Sequence, residues 1–460
     1  MNWYEKRILV LGAGETGRSV VDHLRRLGAG VRVADSRVDS PAAAQLAASH
    51  PDLDIVTGRF TDALFRDAEL IVASPGVAVA GPACDPAIAR AAAYGKAVVG
   101  DIELFAWQQN QITGPRPKVI GITGANGKST VTTMAGAMCR AAGMNTVVAG
   151  NIGLPILDAL HATPNADAYV LELSSFQLET TASLKLDAAT MLNLSEDHLD
   201  RYHSMQDYAH AKQRIFLNAR HQVLNREDPV SMRMREAALS ATTFGLDRPE
   251  GDNFGVHAGD LMMGASPLLP LEDMPIAGLH NAANALAAFA LCRAIGVDSE
   301  QATAGLKQFK GLPHRLQLVG TINGVNYYDD SKGTNVGATV AALNGMTVAT
   351  VLIAGGIGKD QDFSPLLNAV RRVGRAVVLI GRDAGLIEAA LKGSNVDCIR
   401  EESLLNALLR AHLVAKPGDA VLLSPACSSF DMFKNYVERG EMFAAGVEML
   451  ASAIKRRRRP

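Results

Sequence analysis

GITGANGKST, residues 121–130, decides how the chain is read. Val119-Ile120-Gly121-Ile122 is the pattern of a short buried strand, Gly124 to Gly127 a glycine turn, and Ser129 to Ala142 a helix closed by Gly143. A glycine turn that opens a helix cradles phosphate. Backbone N–H groups and the positive end of the helix dipole face the anion, Lys128 adds a mobile charge, and the Ser129 hydroxyl suits a magnesium ion. The usual spacing G-x-x-x-x-G-K-[ST] needs glycine where this chain has Ile122, so the stretch is a shortened form, T-G-x-x-G-K-S. Spacing alone leaves two readings: a nucleoside triphosphate site, or a plain strand-to-helix turn with a surface lysine.

Around that loop the chain has the make-up of a soluble enzyme. Its 460 residues are enough for about two to four domains, and 48% hydrophobic against 20% charged residues is ordinary for a globular protein. No apolar run approaches the roughly 20 residues of a membrane span. The N-terminal MNWYEKR lacks the apolar centre of a signal peptide, so the expected location is cytoplasmic. Cys84, Cys139, Cys292, Cys398 and Cys427 are odd in number and far apart, with no C-x-x-C pair, which favours reduced thiols over disulfides or a zinc site. A net charge of −2 gives no electrostatic reason to expect nucleic acid. The exception is Lys455-Arg456-Arg457-Arg458-Arg459, five adjacent cations that read as a solvated, frayed end or as a contact for an anionic partner.

Before the loop, Arg7 to Leu11 reads as a strand, Gly12-Ala13-Gly14-Glu15-Thr16-Gly17 as a turn into a helix reaching Leu27, and Val31 to Ala34 as a second strand ending at Asp35. This is a full G-x-G-x-x-G fingerprint with an acid near the expected distance, and alone it points to NAD or FAD. Leu70 to Ala73 is a further strand, with the turn Ser74-Pro75-Gly76 at its carboxyl end, where open α/β sheets place ligands. A helix near Pro86 to Tyr94 and a strand at Ala97 to Val99 complete a small doubly wound unit. Gln108 to Pro117, polar and with two prolines, reads as part of a linker.

After the loop, strands deliver polar residues at their ends. Tyr169-Val170-Leu171 leads to Glu172-Leu173-Ser174-Ser175-Phe176-Gln177, and Thr190-Met191-Leu192 to Asn193-Leu194-Ser195-Glu196-Asp197-His198. Ser204 and Asp207 suit a capping box for a helix that carries Tyr208 and Lys212 on one face. A later helix opens with His280-Asn281-Ala282-Ala283-Asn284 and runs to Gly296, with Asn281 and Asn284 on one face near its positive end. Gly311-Leu312-Pro313 is a boundary. Beyond it, strand patterns return at Val351 to Gly356, Val377 to Gly381 and Val421 to Pro425 with helical segments between, which predicts a third parallel-sheet unit.

Taken singly, these residues leave plainer readings open. Glu172, at the end of an apolar strand, is a surface cap or a magnesium ligand; magnesium takes one or two carboxylates beside phosphate oxygens, and a phosphate loop lies in the same region. His198 is a hydrogen-bonded structural histidine or a ligand. Lys212, in mid-helix, reads as an ordinary solvated side chain.

As a set the motifs say more. TGANGKST (123–130), GNIGLP (150–155), LELSSFQLE (171–179), EDHLDRY (196–202), HNAANA (280–285), GLPHR (311–315), DDSKGTN (329–335) and SPACSS (424–429) follow the order seen in Mur ligases. The chain resembles that family over essentially its whole length apart from the basic tail. The resemblance implies an α/β protein of three domains. These are a Rossmann-like N-terminal domain for the UDP part of the substrate (1–100), a central P-loop-type ATPase domain with a mainly parallel sheet (101–311), and a Rossmann-like C-terminal domain for an amino acid (312–460). It also implies an ATP-dependent amide ligase of peptidoglycan precursor synthesis, with consequences for cell shape and division. Such an enzyme joins D-glutamate to UDP-N-acetylmuramoyl-L-alanine through an acyl phosphate and releases ADP and phosphate. The expected form is a monomer acting on small molecules.

Carried over by position, the resemblance implies that Gly124, Ala125, Asn126, Gly127, Lys128, Ser129 and Thr130 hold ATP, with Lys128 at the β and γ phosphates. Ser129 and Glu172 would share a first magnesium, and His198 would bind a second alongside Lys212, which is carbamylated in this family. A carbamate turns a cation into an anionic oxygen ligand. Asn281 and Asn284 would meet the adenine side, and Arg315 and Asp330 the phosphates and ribose. Thr16, Asp35, Ser36 and Arg37 become contacts for uridine diphosphate, while Asn151, Ser174, Gln177 and His198 border the muramoyl-alanine end. Lys332, Thr334, Lys359, Ser429 and Phe430 would hold D-glutamate, whose carboxylates suit two lysines.

Three positions depart from the family pattern. Glu15 puts an acid in the diphosphate turn, Ile357 stands where an acid often precedes the lysine segment, and Tyr436 where phenylalanine is common. Rival readings explain less. An NAD oxidoreductase leaves GANGKST, EDH and SPACSS without a role, and a regulatory module leaves the substrate set unexplained. Within the ligases, folylpolyglutamate synthetase or a relative adding another amino acid is the nearest rival; the D-N-P-R motif of diaminopimelate addition is absent.

Overall fold

The computed structural model describes residues 3–4, 6–276 and 278–457. The first sheet holds β1 (Arg7–Leu11), β2 (Gly30–Asp35), β3 (Asp54–Thr57), β4 (Leu70–Ala73) and β5 (Val98–Val99), all parallel in the order β3-β2-β1-β4-β5. That order reverses between β1 and β4, so the carboxyl ends of these two strands open a crevice of the kind in which doubly wound sheets bind ligands. The helix Glu15–Arg26 packs closely on β1. A Cβ added to Gly17 would collide with Gly12 O, so the close approach requires glycine.

The middle sheet contains β6 (Lys118–Thr123), β7 (Thr146–Gly150), β8 (Ala168–Glu172), β9 (Ala188–Met191), β10 (His221–Asn225), β11 (Ser240–Phe244), β12 (Phe254–His257), β13 (Asp260–Met263) and β14 (Ser266–Pro270). Its order is β14-β13-β12-β11-β10-β9-β6-β8-β7, parallel except for the β12-β13-β14 meander. The meander was not legible in the sequence. Its strands are short and only partly buried, whereas β8 and β9 in the centre of the sheet are buried at every residue. In this order β6 lies between β8 and β9, so the loop after β6 is flanked by the ends of both. Ile122 pairs with Glu172, and Thr123 with Met191.

The reading of Gln108 to Pro117 as linker needs correction at its start, because the helix Asp101–Asn110 includes the first three of those residues. Ile102, Leu104, Phe105 and Ala106 of that helix are all buried, and Phe105 meets Tyr169 edge-on with ring centroids 5.0 Å apart. Apolar residues around more than one face make it a helix enclosed on several sides. It belongs to a continuous core that takes Val10 and Val72 from the first sheet and Val119 and Leu171 from the second. Ser204 caps the helix Met205–Gln213 by accepting the Asp207 N–H at 3.1 Å, a contact worth about 1 kcal/mol. Half of the expected capping box forms: the Asp207 carboxylate takes a hydrogen bond from the Ser204 hydroxyl.

The third sheet holds β15 (Gln317–Ile322), β16 (Val325–Asp329), β17 (Thr350–Gly355), β18 (Gly374–Ile380), β19 (Asp397–Arg400) and β20 (Ala420–Leu423) in the order β15-β16-β20-β17-β18-β19. Only β15 is antiparallel. Alternate residues of β17 face opposite sides, so Leu352 and Ala354 enter one apolar cluster and Val351 and Ile353 the other. The helix Tyr436–Arg457 runs into the basic segment, which corrects the frayed-end reading as far as Arg457; Arg458 and Arg459 lie outside the described residues.

Packing divides the described residues into two compact units. One comprises Met1–Leu194, Asp200–Met274 and Ala283–Phe309; the other comprises Ser195–Leu199, Pro275–Ala282 and Lys310–Pro460.

Candidate active site

The loop after β6 is held from three sides. Gly127, at φ +84°, is the N-cap of the helix Lys128–Ala141, a left-handed conformation that glycine adopts at little cost. Asn193, just past β9, accepts the Asn126 N–H at 2.8 Å and donates its own amide to Asn126 O at 3.0 Å, while Asn193 O accepts the Ala125 N–H at 2.8 Å. Asn284 Oδ1 would lie 2.5 Å from a Cβ on Gly127, so this asparagine presses directly on the loop. Lys128 Nζ donates to Gly124 O at 2.9 Å and to Ala125 O at 2.8 Å. Ser129 and Thr130 sit buried in the first turn of the helix. Asn193 was missed as a functional residue. The signal was available, since it is the polar residue that ends the strand beside β6.

Two further residues converge on this loop. Lys212 is not the solvated side chain its mid-helix position suggests: it is 1% exposed. Its Nζ donates to Gly124 O at 2.8 Å and lies 4.5 Å from the Tyr208 ring centroid, the contact that the i, i+4 spacing predicts. Glu172 ends β8 and is 2% exposed. Its Oε1 accepts from Asn151 Nδ2 at 3.0 Å, and its buried Oε2 has no hydrogen-bond partner among the described residues. Among the described residues no three His, Cys, Asp or Glu side chains cluster as a metal cage. One open carboxylate oxygen and a serine hydroxyl near a phosphate loop are the donor set that magnesium shares with phosphate. The residues present fit that ion.

A cleft of about 720 Å³ opens beside the first sheet's switch point, and it brings together Thr16, Asp35, Ser36, Arg37, Asn151 and Gln177. Asp35 is buried and accepts from the Ala13 N–H at 3.0 Å and from Arg37 Nε at 2.9 Å; the Arg37 guanidinium holds its carboxyl far below the usual range. Asp35 therefore fixes the turn and aims Arg37, whose own side chain is 60% exposed. Glu15 also lines the cleft, but it is exposed at the first turn of its helix. Ser174 and Gln177 form a capping box at the helix Ser175–Glu179.

Gln177 Nε2 donates to Asp101 Oδ2 at 3.4 Å, and Asp101 Oδ1 is buried without a partner among the described residues. Burial pushes the Asp101 carboxyl up to about 6. A folded-state value above the unfolded one means the native state binds the proton more tightly. Stability therefore falls as pH rises from the ordinary carboxylate range to about 6, then levels off. Asp101→Asn removes that loss. Its melting temperature should exceed the parent's near pH 8 by the equivalent of roughly 2–3 kcal/mol, with little difference near pH 4; the same offset at both pH values would contradict the assignment.

In the second unit, Asp197 gathers partners. Lys359 Nζ is 3.3 Å from Asp197 Oδ1, Asn335 Nδ2 reaches Oδ2 at 3.5 Å, and His198 Nε2 lies 3.6 Å from Oδ2. His198 itself has a left-handed backbone, φ +57°. Lys332 Nζ stands 3.8 Å from the Tyr436 ring centroid, so the departure at 436 retains an aromatic face for the lysine. Thr334 donates its N–H to Lys332 O. Ile357 exchanges two 3.0 Å backbone hydrogen bonds with Ser428, which fixes the segment leading to buried Ser429 and to Phe430, 70% exposed. An acid's side chain is not needed for that backbone pairing.

Asp330 accepts from Ser424 Oγ at 2.7 Å and from the Leu316 N–H at 3.2 Å. Burial pushes its carboxyl up to about 7, partly offset by the Ser424 hydrogen bond and the Arg315 charge. Asn281 is buried in the first turns of the helix Leu279–Ala294.

Family models match the chain in three consecutive blocks: the Mur ligase MurD-like N-terminal domain over residues 6–100, the Mur ligase middle domain over 122–292, and the Mur ligase glutamate ligase domain over 314–427. The UDP-N-acetylmuramoylalanine–D-glutamate ligase of Methylobacillus flagellatus is 55% identical over 448 residues, 96% of this chain and 97% of the relative. The ligase of the same name from Chromobacterium violaceum is 49% identical over 458 residues, 98% of this chain and 100% of the relative. A solved pseudomurein peptide ligase type C from Methanothermus fervidus, 19% identical, covers 97% of this chain and 100% of its own with a TM-score of 0.60, which shows a shared fold. With the domain models in order and relatives alike over nearly the whole length, the chain belongs to the Mur ligase family.

Proposed function

We propose that this chain is an ATP-dependent ligase that adds D-glutamate to UDP-N-acetylmuramoyl-L-alanine in peptidoglycan precursor synthesis. The reading is carried by the full-length likeness to ligases of that name, in a chain whose glycine loop and open Glu172 carboxylate oxygen lie at the carboxyl ends of the neighbouring strands β6 and β8. A free carboxylate is a poor acyl donor because it is ionised and would have to expel oxide. Transfer of the γ-phosphoryl group to the alanyl carboxylate gives an acyl phosphate. The D-glutamate amine then attacks the carbonyl carbon, the C–O bond to phosphate breaks, and a proton leaves the new amide nitrogen.

The protein's part is positioning and charge neutralisation. Residues 124–130 present N–H groups and the Lys128 ammonium to ATP, with Asn281, Asn284, Arg315 and Asp330 serving the nucleoside and phosphates. Ser129 and Glu172 would hold one magnesium, and His198 with Lys212 as its carbamate a second; the ions would neutralise phosphate charge during transfer. Thr16, Asp35, Ser36 and Arg37 would take the uridine diphosphate, and Asn151, Ser174, Gln177 and His198 the muramoyl-alanine end. Lys332, Thr334, Lys359, Ser429 and Phe430 would take D-glutamate. Domain limits at residues 100 and 311, a monomeric state and a cytoplasmic location belong to the same reading. Among the described residues no helix is long and apolar enough to cross a membrane.

Phosphate release tests it. With ATP, magnesium and UDP-N-acetylmuramoyl-L-alanine, release should require D-glutamate and fail with L-glutamate, diaminopimelate or no amine. Release indifferent to the amine, or selective for another, would refute the assignment, and tight NAD binding without release would favour an oxidoreductase.

A further inference from the structure

The helices Leu404–Val414 and Tyr436–Arg457 pack side by side on one face of the third sheet. Leu404, Ala407, Leu408 and Ala411 of the first, and Phe443 and Val447 of the second, face inward to its core. Their outward faces carry exposed leucines and methionines beside polar residues such as Arg410 and Glu448. Leu405, Leu409 and Leu413 are 49%, 43% and 76% exposed at i, i+4 and i+8, and Met442 and Met449 are 52% and 58% exposed one heptad apart. The two helices meet beside these stripes at buried Gly446, where an added Cβ would lie 2.8 Å from buried Leu408 Cδ2 and 3.8 Å from Cδ1 of the exposed Leu405. Monomeric proteins scatter exposed leucines singly, and a contiguous set marks an interaction surface.

Charge identifies the partner. The helix bearing Met442 and Met449 ends at Arg457, inside a run whose sequence is Lys455-Arg456-Arg457-Arg458-Arg459, five cations in the sequence against the exposed Glu441 and Glu448 on the helix flank. We infer that this two-helix face docks on an anionic lipid surface, with the leucines and methionines entering the acyl boundary and the basic run meeting the headgroups. A nucleic acid would use the cations and leave the leucines in water, and a second copy of the chain would use the leucines and leave the cations unpaired. A bilayer of acidic lipids uses both. Because no described helix is long and apolar enough to span, the contact is peripheral and weakens with salt.

The test is co-sedimentation of the full chain with vesicles. Binding to phosphatidylglycerol–phosphatidylethanolamine vesicles should exceed binding to phosphatidylcholine vesicles by about tenfold or more. The paired substitution Leu409→Ser with Met449→Ser should lower it about tenfold, and so should glutamine at positions 455–459, with the melting temperature of each variant unchanged. Equal binding to both vesicle types would overturn the inference. Loss with the glutamine tail but not with the Leu409 and Met449 changes would too, since that is plain attraction of cations. A dimer abolished by the patch substitutions, or duplex DNA bound in place of vesicles, would assign the face to another partner.

Discussion

Lys212→Ala is expected to lower ligation turnover by about 10²–10³-fold, the scale of losing one preorganised charge-stabilising group, and short carboxylates such as acetate or formate should restore part of it. The argument begins with burial. A lysine 1% exposed, with Nζ on Gly124 O and over the Tyr208 ring, is held at the phosphate loop. An ammonium there cannot ligate magnesium. A carbamate formed on the same nitrogen can, because it carries two anionic oxygens.

Deleting the side chain has a second consequence, because Gly124 O loses one of its two lysine donors and keeps Lys128, at a cost of about 1 kcal/mol. Lys212→Met separates the two effects. Methionine keeps the volume and the contact with Tyr208 while removing both the donor and the carbamate. If Lys212 acts chemically, both variants are inactive when folded, and only the alanine variant, which leaves room for a carboxylate, responds to acetate. An active methionine variant would reduce Lys212 to a strut under the loop; folded but unrescued alanine protein would count against the carbamate.

The contrast between Lys212 and its neighbours in sequence shows what could be read without coordinates. GITGANGKST was legible because strand, turn and helix signals are local and consecutive. The same holds for Gly12 to Asp35, whose strand, glycine turn and second strand fall where the spacing puts them. Burial of Lys212 was not legible from its helix. Its depth comes from the β6 loop 88 residues away, and no helical period reports that. Asn193 clamps Asn126 across 67 residues for the same reason. Asp197 shows the limit most clearly: it pairs with Lys359 across 162 residues, and the EDH run gives no sign of that partner. The family resemblance named the residues of the proposed site, but it gave neither the clamp, nor the burial, nor the pairing of Lys332 with Tyr436.

Glu172→Gln should abolish most activity, about 10²–10³-fold, while leaving the apo protein as stable as the parent or more so. The two oxygens of this carboxylate differ. Oε1 accepts from Asn151 Nδ2, a contact the glutamine oxygen reproduces, so the tie between the cleft-lining Asn151 and β8 survives. Oε2 is buried with no partner among the described residues, so an amide in its place breaks no hydrogen bond and replaces a buried carboxylate with a neutral group. The proposed magnesium would complete that unpaired oxygen. Thermal melts then distinguish a ligand from a cap. In the parent, magnesium with ATP should raise the melting temperature more than ATP alone; in the variant that difference should vanish, with the magnesium-free melting temperature equal or higher. A magnesium increment that persists in the variant would return Glu172 to the role of a buried strand cap.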